Sequence, residues 1–429
     1  MKLVINNFAK IKHADITVDG ITVIAGENNT AKSTIGKVLY SSFNSLYDMD
    51  EKIEKNRAEE IFDVCYRSVR NTAIHSLRQT RAFANEISRE LSDALARTAN
   101  ISEVIYRSML VDTFKKYDVN LTEENIDELY ENSYEKIVLL KKHDDYEIAL
   151  ELIQRLFLQV FDSQIQCLTE TGKIADVALI IKNKELSMRF KNNECVSWKA
   201  EYNILHEAFL IDDPFVLDNL TGYYYAASSN VVRGQLVKHL RENNLMDGIF
   251  EAVSAKENLK EIYNILDKIT RGKISIHNGQ WGLNAEQYKE PVHFENLSAG
   301  LKSFVLIKML LEKGILKERD VLILDEPEIH LHPEWQLVYA EIIVLLQEKF
   351  DLSIVVTTHS RDFLEAIELN VKKYNLESKS NYYLSDKDND GLVTFENVTN
   401  DLDKIYRQLV TPSMLLDKLR YEIGMDENE

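Results

Sequence analysis

The sequence predicts a mixed α/β fold in which a parallel sheet is assembled from both ends of the chain, with a helical block between them. Three observations predict it. In the second half, strand-like apolar runs alternate with helical ones, the arrangement that yields a parallel sheet covered on both faces. The opening stretch reads as three short strands, KLVINNF, ADITV and ITVIAG, divided by polar turns that include Asp19-Gly20. From about Asp48 to Leu168 glycine and proline are absent while Leu, Ile, Glu, Lys and Arg dominate, which is a helical texture. The expected organisation is therefore residues 1–47 and 169–429 as two parts of one sheet domain, with 48–168 inserted.

Taken in order, the third strand runs straight into GENNTAKST, and TIGKVLYSSFNSL after it has helical spacing. Inside the insertion, Thr122 is placed to cap a helix whose first turn carries Glu123 and Glu124, both favourable at the positive end of the helix dipole. Near Thr171-Gly172 the pattern reverts to strands, and VALIIKNKELSMRF reads as a hairpin. Beyond Leu220 come a strand (GYYYAA), a helical stretch to about Ile269, and a hairpin, KISIHNGQWGLN. Then follow the helix of LSAGLKSFVLIKMLLEKG, the strand VLILDEP, a helix from His332 to about Phe350, and the strand SIVVTTHS. Asp386–Gly391 imitates the first half of a calcium loop, but position 12 falls on Asn397 with Glu396 out of register, so the bidentate acid is missing. A hairpin turn at Asp390-Gly391 between NYYLS and LVTFENV is the reading adopted.

Composition narrows the function classes. A chain of 429 residues, 45% hydrophobic and 28% charged, has the make-up of a globular protein with room for two or three substructures. No apolar run approaches the roughly 20 residues needed to cross a membrane, and the start lacks a signal peptide, so a soluble, cytoplasmic protein with no membrane role is expected. Three separated cysteines, Cys65, Cys167 and Cys195, form neither a disulfide framework nor a zinc site. A net charge of −19 argues against a surface that attracts nucleic acid as a whole. One local exception stands out. Arg67, Arg70, Arg78, Arg81 and Arg89 fall within a helical arc of roughly 100°, with no acid between Val64 and Asn85. That face is either solvated and ion-paired or a surface for an acidic partner or nucleic acid.

Four motifs carry chemistry. Gly26, Glu27, Asn28, Asn29, Thr30, Ala31, Lys32, Ser33 and Thr34 have the G-x-x-x-x-G-K-[ST] spacing of a phosphate-binding loop, with Ala31 in place of the second glycine. Such a loop needs converging backbone N–H groups, a helix N-terminus, a lysine for the β and γ phosphates and a hydroxyl for magnesium; Lys32 and Ser33 are placed for the last two. If Ala31 must take positive φ, its β-carbon costs about 1–2 kcal/mol; a right-handed conformation costs almost nothing. Second, the apolar strand VLIL ends in Asp325 and Glu326, two adjacent carboxylates whose repulsion magnesium and an attacking water would offset. Third, Ser298 and Gly300 in LSAG open an amphipathic helix, where a plain N-cap is the alternative. Fourth, His359 in TTHS closes an apolar strand. His330 and His332 are read as part of the strand's extension, not as a metal pair.

In this order GENNTAKST, LSAG, LILDEPEIHLHP and TTHS resemble the Walker A, signature, Walker B and switch-histidine motifs of ABC-class ATPases, in particular the SMC, RecF and OLD-like branch. LVINNFAKIKHADI is similar to that branch's first hairpin. The resemblance covers residues 1–45 and about 290–365. It implies an ABC-type P-loop ATPase head formed from N- and C-terminal parts, using ATP and Mg2+: Lys32 and Thr34 on phosphates, Ser33 and Asp325 on magnesium, Glu326 as base, and His359 sensing the γ phosphate. Ser298 and Gly300 would reach the ATP of a second head, so the resemblance implies a homodimer or higher even oligomer. No glutamine stands out for the family's Q-loop.

The insertion lacks a sustained heptad repeat and is expected to form a compact lobe. The resemblance extends to stand-alone ATPases of anti-phage systems such as Septu, PARIS and the retron-associated operons. That implies a sensor controlling a separately encoded nuclease or toxin, because no nuclease motif appears here. The competing reading is a RecF-like DNA-repair ATPase that clamps DNA itself.

Overall fold

The computed structural model describes residues 1–72, 81–98, 100–170, 172–220, 230–242, 259–285 and 287–426. They divide into two compact units: Met1–Tyr47 with Ile153–Glu429, and Asp48–Leu152. The first opens with β1 (Lys2–Phe8), β2 (Ile11–Thr17), β3 (Ile21–Gly26) and α1 (Lys32–Leu46). The helical unit holds α2 (Met49–Asn71), α3 (Arg81–Arg97), α4 (Glu103–Lys115) and α5 (Glu123–Lys142), and α6 (Asp145–Val160) leads out of it. Next are β4 (Ala175–Ile181), β5 (Lys184–Lys191), β6 (Glu194–Ala200), β7 (Ala208–Ile211), α7 (Val231–Arg241), α8 (Lys260–Thr270), β8 (Gly272–His277), β9 (Gln280–Ala285) and β10 (Val292–His293). The chain closes with α9 (Ala299–Glu312), β11 (Val321–Asp325), α10 (Pro333–Phe350), β12 (Ser353–Thr358), α11 (Arg361–Lys373), β13 (Ser380–Lys387), β14 (Val393–Asn397) and α12 (Asp403–Asp426).

Eleven strands form one sheet in the order β6-β5-β4-β1-β2-β14-β13-β3-β12-β11-β7. Its functional half is the parallel run β13-β3-β12-β11-β7, with Ile24 of β3 paired to both Thr357 and Tyr383, Asp325 to Thr357, and Leu324 to Ile211. β3 is buried at every position and β11 at all but its last, as strands covered on both faces must be. All five C-terminal ends therefore lie along one edge, and every candidate residue except Ser298 and Gly300 follows from that edge.

A wholly parallel sheet does not form. β1 with β2, β4 with β5 and β5 with β6 pair antiparallel as hairpins, because each connection is too short for a crossover; β4 also joins β1 antiparallel, and β2 pairs parallel with β14. The two-residue turns Lys182-Asn183 and Asn192-Asn193 have φ of 50°, 62°, 52° and 69°, the positive values that hairpin turns demand. A separate antiparallel sheet, β10-β9-β8, contains the expected KISIHNGQWGLN hairpin. The GYYYAA segment and residues 243–258 of the expected helical stretch lie outside the described residues.

The helical unit ends at Leu152, short of residue 168. The reason is α6: Phe157, in its second half, packs at 6.2 Å from Phe8 of β1 and 4.7 Å from Phe190 of β5, so this part of the helix belongs to the sheet. Inside the unit, Ile61, Cys65 and Val69 of α2 and Ile87, Leu91 and Leu95 of α3 recur every fourth residue and bury one stripe each, at about 1.5–3 kcal/mol per large side chain. Thr122 caps α5 as expected: its Oγ1 accepts from Asn125 N at 3.2 Å, and Asn125 Oδ1 accepts from Thr122 N at 3.4 Å. All three cysteines are free and buried, and burial pushes the Cys65 and Cys195 thiols up to about 12. No helix among the described residues is long and apolar enough to cross a membrane.

Candidate nucleotide site

β3 ends at Gly26, where φ is 152° and an added β-carbon would meet Ser385 Oγ at 2.2 Å and Ser385 O at 2.7 Å. Glycine is required there by close approach of β13. The loop then turns through Asn29 (φ 63°) and Ala31 (φ 54°, ψ 23°) before α1 begins at Lys32. Ala31 thus takes the left-handed conformation, the costlier of the two open to it. Two clamps hold it. Thr30 Oγ1 lies 2.7 Å from both Glu27 O and Ser385 Oγ, while Ser385 Oγ donates to Ala25 O at 3.2 Å; on the outside, Lys10 Nζ donates to Asn29 Oδ1 at 2.5 Å. Asn28 and Asn29 are exposed, Ser33 and Thr34 half-buried in the first turn of α1. In that turn Thr34 N donates to Ala31 O at 3.1 Å, while the N–H groups of Lys32 and Ser33 have no acceptor within the helix.

Lys32 is buried, and its Nζ donates to Gly26 O at 3.0 Å and Glu27 O at 2.7 Å. Burial pulls its pKa down, opposed by Glu326, Asp325 and Glu328. Nζ lies 3.8 Å from Glu326 Oε1, so the loop and the end of β11 form one ionic centre. Asp325 Oδ1 accepts from Thr357 Oγ1 at 2.5 Å, and the same hydroxyl accepts from Glu326 N at 3.0 Å. This chain of two bonds fixes the directions of both adjacent acids. Glu326 itself has φ 49°, a left-handed kink that carries its side chain off the strand line. Its Oε1 also lies 3.5 Å from His359 Nδ1, so Lys32, Glu326 and His359 converge on one carboxylate oxygen.

Glu328 was not singled out from the sequence, although it stands inside the quoted Walker B extension. It is buried, accepts from Thr358 Oγ1 and from His359 N at 3.2 Å, and burial raises its pKa. It therefore anchors the backbone that presents His359. Next to β11, β7 leads into Asp212 and Asp213, both gripped by Arg233 at 3.3 and 3.0 Å. No local signal marks that trio, because the arginine arrives from α7.

Ser298 caps α9, its Oγ accepting from Leu301 N at 3.4 Å. A β-carbon on Gly300 would meet His330 O at 2.9 Å and the Trp335 ring at 3.2 Å, so close packing demands glycine here too. Ser298, Ala299, Gly300, His330, His332 and Trp335 line a cleft of about 400 Å³, to which no residue of the 26–34 loop contributes. Within one chain the signature residues are thus apart from the loop. No cluster of three or more His, Cys, Asp or Glu suited to a metal occurs among the described residues. The expected single arginine face does not hold, because α2 ends at Asn71 and α3 begins at Arg81: Arg67 and Arg70 are exposed on α2, Arg81 and Arg89 on α3, and Arg78 lies outside the described residues.

A parallel β13-β3-β12-β11-β7 core, a loop-to-helix junction after β3 and paired acids where β11 ends have the arrangement expected of an ABC-type P-loop ATPase head. Residues 188–365 match the family model described as "AAA domain, putative AbiEii toxin, Type IV TA system". The Septu protein PtuA of Bacillus thuringiensis is 30% identical over 131 residues, 27% of this chain and 32% of that protein, so the match spans about a third of the curated relative's length. Among solved structures, an Smc head bound to the C-winged helix domain of ScpA aligns over 94% of this chain and 98% of its own, at 11% identity and a TM-score of 0.42. The SMC head domain from Thermotoga maritima aligns over 92% and 98%, at 9% identity and a TM-score of 0.37.

Proposed function

We propose that the chain binds and hydrolyses ATP with magnesium, in a site closed by a second copy. The convergence of Lys32, Glu326 and His359 on one point at the sheet edge carries this reading. The donor set fits magnesium: a Ser33 hydroxyl and an Asp325 carboxylate held in one orientation are hard oxygen ligands, and a protein contribution this small suits an ion that takes its other ligands from phosphate and water. Bound there, magnesium supplies neutralisation of charge on the β and γ phosphate oxygens. Lys32, with three donors, and Thr34 orient the phosphates. Glu326 takes the proton of the attacking water, and His359, held by Glu328, contacts the γ phosphate.

Ser298 and Gly300 line a separate cleft, which favours their completing the site of a partner head in a homodimer or higher even oligomer. The similarity to a Septu protein supports a cytoplasmic role in anti-phage defence, as a sensor that regulates a separately encoded nuclease or toxin. Calorimetric titration of the full chain with ATP and magnesium tests the core of this reading. Uptake is expected in the wild type and a loss of at least about 100-fold in affinity in Lys32→Ala, since a buried cation facing phosphate is removed; no uptake by the wild type would end the proposal.

A further inference from the structure

The helical unit carries a feature that ATP chemistry does not use. Between Lys55 and Lys115 the chain has eight arginines and no lysine, and no acid lies between Val64 and Asn85, in a protein of net charge −19. Some of these arginines are committed to carboxylates: Arg57 to Asp145 at 2.7 Å, Arg107 to Asp127 and Glu103 at 2.6 and 3.0 Å, and Arg67 loosely to Asp63 at 4.0 Å. Arg70 and Arg89 behave differently. Arg89 Cζ lies 5.4 Å over the Phe62 ring, Phe62 stacks on Tyr66 at 5.8 Å and 17°, and Arg70 Cζ lies 5.7 Å over Tyr66. Phe62, Tyr66 and Arg70 follow one another at four-residue steps on α2, and α3 supplies the guanidinium at the other end. Both arginines are exposed, and among the described residues neither has a carboxylate within 4 Å.

Stacking on an aromatic face restrains a guanidinium plane without consuming its N–H donors. The forks of Arg70 and Arg89 are thereby oriented in advance, and an oriented fork matches a phosphate that accepts two parallel hydrogen bonds. A surface selected for negative charge alone would take lysine equally well, and here lysine is absent. We infer that the Arg89-Phe62-Tyr66-Arg70 column, with the exposed Arg67 and Arg81 of the same two helices, is a docking surface for the phosphate backbone of a nucleic acid. This rests on the helical unit alone and stands or falls separately from the ATP site.

Fluorescence anisotropy of the full chain with duplex DNA, single-stranded DNA and single-stranded RNA, each about 30 nucleotides long and titrated from roughly 50 to 300 mM salt, tests it. Four phosphate contacts predict a slope of log affinity against log salt of about −3.6 on duplex and about −2.8 on single strands, and the best-bound probe identifies the form preferred. The double variant Arg70→Ala/Arg89→Ala should lose about 1.4–1.8 from that slope and at least about tenfold in affinity, whereas Arg70→Lys/Arg89→Lys should keep most of the slope yet bind more weakly. Unchanged circular dichroism in the variants confirms that the fold is kept. Three results would overturn the inference: no binding of any probe at the lowest salt, equal binding by the double alanine variant, or poly-glutamate bound as tightly as nucleic acid with the same loss in the variant. The last would assign the surface to an acidic protein.

Discussion

Lys32 Nζ stands 3.8 Å from Glu326 Oε1, joining the start of the chain to the end of β11. His359 Nδ1 approaches the same oxygen at 3.5 Å. A carboxylate held between two nitrogen groups is pre-aimed, and its removal has a specific signature. Glu326→Gln keeps shape and hydrogen bonding but cannot take a proton. Phosphate release should fall by at least about 100-fold while ATP is still bound. Turnover within tenfold of the wild type would show that another group is the base.

At Ala31, φ is 54°. Ala31→Gly removes a left-handed penalty of about 1–2 kcal/mol and adds an unfolded-state entropy cost of about 0.5–1 kcal/mol, leaving a net gain of roughly 0.5–1 kcal/mol. The expected outcome is a thermal midpoint raised by about 1–4 °C, with Ala31→Val shifting it down. A lower midpoint in the glycine variant would mean the loop relaxes into another conformation.

Gly300 separates helix propensity from packing. In an open helix, Gly→Ala stabilises by about 1 kcal/mol. Here the added carbon meets His330 O at 2.9 Å and Trp335 at 3.2 Å, so Gly300→Ala should destabilise by about 1–3 kcal/mol in urea unfolding. Combining it with Trp335→Leu should recover part of the loss. A stabilised single variant would contradict the packing described.

Asp320, at the start of β11, gives a pH dependence. Burial pushes its carboxyl up to about 6 from 3.8, against the pull of the Lys317 N–H and His206, whose Nδ1 is 3.6 Å away, and with the neighbouring Glu207 adding to the rise. The native state therefore holds this proton more tightly than the unfolded chain does. The associated stability is fully present below about 4 and is lost as pH rises through about 6, by at most roughly 3 kcal/mol. Asp320→Asn should remove that decline when unfolding free energies are compared at pH 4.5, 5.5 and 7. An identical slope in the variant would place the titration elsewhere.

Lys32, Asp325, Glu326 and His359 were legible because each sits where an apolar run stops, and the stops are marked by local chemistry. The capping of α5 by Thr122 and the turn at Asp390-Gly391 were legible for the same reason. Ser385 was not: its importance comes from lying under Gly26 and beside Thr30, a relation created only when β13 pairs with β3. The same holds for the left-handed state of Ala31 and for the ring stack that orients Arg70 and Arg89. The end of the helical unit was misplaced because α6 is one uninterrupted helix by propensity, and only Phe157 turning to Phe8 and Phe190 reveals its change of allegiance.

The position of β3 between β12 and β13 has a consequence for biosynthesis. Both neighbours are encoded more than 300 residues downstream, so a ribosome adding about 5–20 residues per second leaves the backbone N–H and C=O groups along both edges of the strand unpaired for roughly 15–65 s. During that interval β3 has neither of its partner strands to join, although β1 and β2 can already pair, and it depends on being shielded from other chains until β12 and β13 have been made. Truncated messages would yield products with every residue of the Gly26–Thr34 loop present and no means of holding it in shape.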